Sequence, residues 1–103
     1  MTGPLSHYLI TDHNRLDGLL RESTSDPGGV DLGAYELFRA GLLRHIGLEE
    51  KLLLPAARRA RGGEPLPIAR QLRLEHGVLA ALLVPTPTLE IAGEIRRFLE
   101  RHL

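Results

Sequence analysis

Imidazoles and carboxylates are the side chains here that could do chemistry, and five of the 103 residues are histidine. Cysteine is absent, which excludes thiolate nucleophiles, thiolate metal sites and disulfides. Any metal must therefore be held by histidine and carboxylate. His13 lies four residues after Leu9 and three before Leu16, and His45 lies three after Leu42. His76 lies four after Leu72 and three before Leu79, and His102 lies three after Leu99. Positions three or four apart share a helical face, so these four imidazoles should point inwards with their leucines. His7, six residues before His13, falls away from that face and reads as a rim residue. A single inward histidine is usually a hydrogen-bonded core residue. Four would need four separate polar partners in a leucine-rich interior, at roughly a few kcal/mol for each failure. A shared metal centre satisfies them together.

Glu49 extends the pattern. It follows His45 by four and lands on the same inward face, where an unpaired carboxylate is costly. Its two oxygens allow it to bridge two cations. Glu50 is turned about 100° away and reads as a solvent-facing or outer group. Asp12 and Glu75 precede His13 and His76 and stand off the stripe, in position to orient an imidazole on a neighbouring helix. Tyr8 falls nearer the core face and reads as packing. Imidazole with carboxylate suits iron, zinc or manganese, and a helical bundle interior favours a two-metal iron or manganese site.

The elements that must position these groups follow from glycine and proline punctuation. A first helix runs from Pro4 or Leu5 to Glu22 and ends in the loop of residues 23–29. Asp31 caps a second helix, with Val30 as hydrophobic staple. That helix carries Phe38, Leu42, Ile46, Leu52 and Leu53 towards Arg61; Pro55 should kink it or break its last turns, and Gly62-Gly63 end it. Pro65 and Pro67 open a third helix bearing Ile68, Leu72, Leu79, Leu82 and Leu83, which Pro85 stops. The fourth starts near residues 86–88 and presents Leu89, Ile91, Ile95, Phe98 and Leu99. Short connections favour an antiparallel, up-down-up-down four-helix bundle over the whole of residues 1–103, an all-α single domain.

Composition narrows the function classes. A formal net charge of zero argues against nucleic-acid binding, which needs a basic face. The cluster Arg58, Arg59, Arg61 sits where cations offset a helix C-terminus. No apolar run is long enough to span a membrane, and the N-terminus lacks a signal-peptide pattern, so a cytoplasmic location is the expectation. Aromatic residues make up only 4%, so the core must be aliphatic.

The two halves of the chain echo each other. Asp12-His13 with Leu16, Leu19 and Leu20 aligns with Glu75-His76 with Leu79, Leu82 and Leu83, and Leu42…Arg44-His45 aligns with Leu99…Arg101-His102. The acid-histidine pairs, the run from His45 through Glu49-Glu50 to Leu54-Pro55, and their spacing over the whole chain resemble the hemerythrin-like, HHE cation-binding family. The resemblance implies a four-helix bundle with a bridged di-iron centre that takes a small diatomic ligand, dioxygen or nitric oxide. It implies His13 and His45 on one iron, His76 and His102 on the other, and Glu49 between them. Leu72 stands where oxygen-carrying hemerythrins have a further ligand. The family pattern also expects a second carboxylate about one turn after His102. The sequence ends at Leu103, so the fourth helix is expected to be shortened, with a homodimer covering it. Binding or sensing without turnover ranks first. A di-iron oxidase or peroxidase-type enzyme, or a helical interaction domain with a vestigial site, are the alternatives.

Overall fold

The computed structural model describes residues 4–102, apart from the side chains of Ser6 and His102. Among these residues the chain is all helix and turn, with no strand. Helix α1 spans Pro4–Ser23 and α2 spans Leu32–Leu48. A π-helical turn, Glu49–Leu53, leads straight into α3, Leu54–Ala60. Helices α4, Ala69–Leu82, and α5, Leu89–His102, follow and are 14 residues each. The described residues thus form four helical rods, the second built from α2, the π turn and α3. Because that rod runs without interruption over 29 residues, the molecule is long: 51 × 24 × 19 Å, with a radius of gyration of 14.7 Å. A compact chain of this size would have about 13 Å.

The helix ends obey local chemistry. The Asp31 carboxylate accepts from the Ala34 amide, and Thr88 Oγ1 accepts from the Ile91 amide. Each satisfies a first-turn donor that has no intrahelical partner. Gly62 and Gly63, at φ 70° and 98°, turn the chain after α3, and the Gly63 amide donates to the Arg58 carbonyl. Helix α4 begins later than the prolines suggest. Ile68 sits at its N-cap, 60% exposed rather than on the inner face, and offers no side-chain acceptor.

The core is aliphatic around one aromatic pair. Leu16 and Leu20 of α1 cluster with Tyr35, Phe38, Leu42 and Ile46 of α2, with Leu79 and Leu83, and with Ala92, Ile95 and Leu99 of α5. Tyr35 and Phe38 pack with ring centroids 5.9 Å apart. Each fully buried large side chain contributes about 1.5–3 kcal/mol. Helices α1 and α2 approach closely at Gly41: a methyl group there would lie 2.6 Å from Leu16 Cδ2 and 2.9 Å from Arg15 Nη2. Tyr8, expected near the core, is exposed instead.

Pro55 does not break the second rod, which stays helical from Leu32 to Ala60. Proline has no N–H, and its ring crowds the carbonyl four residues back, here Lys51. The chain relieves this by widening the preceding turn, and the Leu54 amide donates five residues back to the Glu49 carbonyl. The wider turn absorbs about one extra residue, which moves every later side chain round the rod. From Ile46, eight residues at 3.6 per turn make about two turns and a fifth. With one residue absorbed they make about two turns, which returns Leu54 to the Ile46 face. Leu54 is accordingly 4% exposed, whereas Leu52, expected inside, is 50% exposed.

Candidate metal centre

His45, near the end of α2, and His76, in the middle of α4, are both buried. Glu49, the first residue of the π turn, stands between them. Its Oε1 lies 3.5 Å from His45 Nε2 and 3.2 Å from His76 Nε2. One carboxylate oxygen thus faces two imidazoles from different rods. The opposite edge of each ring also meets a carboxylate. His45 Nδ1 is 3.0 Å from Asp12 Oδ2, and His76 Nδ1 is 3.6 Å from Glu50 Oε1.

This pattern constrains protons. Asp12 is buried, and burial by itself would push its pKa up. Hydrogen bonds from His45 and from Arg15, with the guanidinium charge, more than offset that and hold it below the usual carboxylate value. The Arg15 fork supplies two of these bonds, at 3.1 and 2.9 Å. An ionised Asp12 is an acceptor, so His45 Nδ1 carries the proton and donates to it. In a neutral ring Nε2 then presents a lone pair to the Glu49 carboxylate. Two acceptors cannot face each other in a buried site without a cation between them, whether a proton or a metal ion.

His13, two residues before Arg15 on α1, sets its ring edge-on to His45 with centroids 6.1 Å apart. It lines a small enclosed cavity, about 10 Å³, beside His45, Glu49, Leu42, Leu79 and Leu99. That is room for about one water-sized sphere. The structure thus brings His13, His45, Glu49 and His76 to one region. The side chain of His102, at the end of α5, lies outside the described residues. His7 is exposed, as its off-face position indicates. Among the described residues no group of three or more His, Asp and Glu side chains is arranged as a ready-made metal site.

Asp12 does what an acid beside an off-stripe position can do: it reaches a histidine on the neighbouring helix. Glu50, read as a solvent-facing or outer group, is about one-third exposed and stands at the outer edge of the His76 ring. On an α-helix it would turn about 100° from Glu49, but both address His76 across the π turn. The signal for this was Pro55, read as a kink or a break rather than as a change of winding.

Compared with models of known families, with curated proteins and with solved structures, the chain shows no significant match in any of the three.

Proposed function

We propose that this chain is a hemerythrin-like non-haem iron protein, an antiparallel four-helix bundle that holds a pair of irons and takes a diatomic ligand such as dioxygen or nitric oxide. One observation carries the reading. Two buried imidazoles turn Nε2 towards a single oxygen of Glu49, while Asp12 accepts a hydrogen bond from His45 Nδ1 and Glu50 stands 3.6 Å from His76 Nδ1. Metal-ligating histidines are characteristically backed by an acceptor on the far ring nitrogen, which fixes the tautomer and raises ligand basicity.

The donor set fits the group. Bonds of about 2.1 Å at roughly 90–110° separate neighbouring ligands by about 3.0–3.4 Å, close to the 3.2 and 3.5 Å seen here. Imidazole and carboxylate without thiolate suit iron, with manganese and zinc as competitors. His13, His45, Glu49, His76 and His102 would hold the metal, and Asp12 and Glu50 would orient His45 and His76. When bound, iron supplies an open position and electrons for a diatomic ligand. The chain itself contributes the apolar walls of Leu42, Leu79 and Leu99, which keep bulk water from the small cavity.

Anaerobic reconstitution with ferrous iron, followed by desalting, metal analysis and absorbance after exposure to air, tests this. The expected result is close to two irons per chain, strongly reduced in His45→Ala. Less than one tightly held metal per chain, or loading indifferent to His45→Ala, overturns it. The network would then be a structural core of hydrogen-bonded histidines and carboxylates.

A further inference from the structure

A second region of α2 lines a groove away from the histidines. Leu32, Tyr35, Glu36 and Arg39 recur at intervals of three and four on one face of the helix. Together with residues 83–87 they line a groove of about 420 Å³. Small-molecule sites run to about 300–1,000 Å³. Tyr35 is 1% exposed, and its hydroxyl has no hydrogen-bond partner among the described residues. Arg39 is half-buried, and its Nε donates to the Leu83 carbonyl at 3.0 Å, which fixes the guanidinium. Among the described residues no carboxylate lies within ion-pair distance of it.

A guanidinium can only donate hydrogen bonds. Burial raises the Tyr35 phenol above its ordinary pKa, against the opposing charge of Arg39 and with that of Glu36, so it stays protonated and also donates. What the pair lacks is an acceptor, and beside a guanidinium the strongest acceptor is an anion. The remaining walls set the rest of the ligand. Leu32 and Val84 are largely exposed, and Pro85 and Pro87 continue an apolar lip. The Glu36 charge on the rim works against a multiply charged anion.

We propose that this groove binds a small organic monocarboxylate, with its carboxylate between Arg39 and Tyr35 and its apolar body against Leu32, Val84 and the two prolines. The site stands apart from the metal reading, because Tyr35 and His45 are ten residues apart, about 15 Å along the helix.

The test is a titration of the full chain with benzoate in the presence of EDTA, followed by backbone amide shifts in proton–nitrogen NMR spectra. Saturable shifts confined to residues 32–39 and 83–87 are expected, with no response to benzamide. Tyr35→Phe should weaken binding about tenfold and Arg39→Gln by more. Arg39→Lys keeps the charge and should retain part of the affinity if Arg39→Gln fails to fold. The proposal is overturned by an absence of saturation up to tens of millimolar, by benzamide or inorganic phosphate binding as well as benzoate, or by affinity unchanged in both Tyr35→Phe and Arg39→Lys. Because EDTA is present throughout, the outcome does not depend on whether iron binds at His45.

Discussion

His45 and His76 face the same carboxylate but are held in place by different means. His45 rides on regular α-helix and is braced from α1: Gly41 lets the two helices close, and Asp12, itself gripped by Arg15, fixes the far edge of the ring. His76 sits on α4 and is addressed by the π turn, where two consecutive glutamates reach the same ring. The first arrangement follows the three-and-four spacing of an α-helix. The second depends on a local change of winding that such spacing cannot express.

Four experiments probe that difference, in order of expected effect. The register shift predicts that Leu54→Ala costs about 2–5 kcal/mol while Leu52→Ala stays within about 0.5 kcal/mol, as read by urea unfolding. Equal costs would mean that the rod winds as plain α-helix. On the α1 side, Gly41→Ala forces a methyl group onto Leu16 and Arg15 and should cost about 1–3 kcal/mol. No loss would show that the two helices separate easily and that the brace on His45 is loose.

The outer carboxylates should differ in weight. Asp12 is buried and 3.0 Å from its ring, whereas Glu50 is about one-third exposed and 3.6 Å away. Asp12→Asn is therefore expected to lower iron affinity about 10–100-fold in a chelator competition, with Glu50→Gln at the low end of that range or below it. A larger loss in Glu50→Gln would reverse the ranking of the two sides.

The smallest effect is in pH. The folded pKa of Asp12 lies below its unfolded value, so its contribution to stability is complete above about pH 4 and fades as pH falls through the folded value. In metal-free protein, the stability difference between wild type and Asp12→Asn should shrink as the pH is lowered through that region. A difference that stays constant would assign Asp12 to packing alone.

The sequence by itself determined the all-helical class, the four rods, the cap at Asp31 and a fourth-helix start near residues 86–88. It also placed His45 and His76 inside, and Asp12 beside a histidine of another helix. These follow from rules that are local or need only a constant 3.6-residue turn. Tertiary structure alone decided the rest: Leu54 inside and Leu52 outside, Glu50 beside His76, Tyr8 exposed, and Tyr35 buried next to Arg39. The physical reason is that Pro55 only forbids one hydrogen bond. Whether the chain answers by breaking, bending or widening a turn depends on which winding lets the rod bury Leu54, and that is a property of the packed molecule rather than of the local sequence.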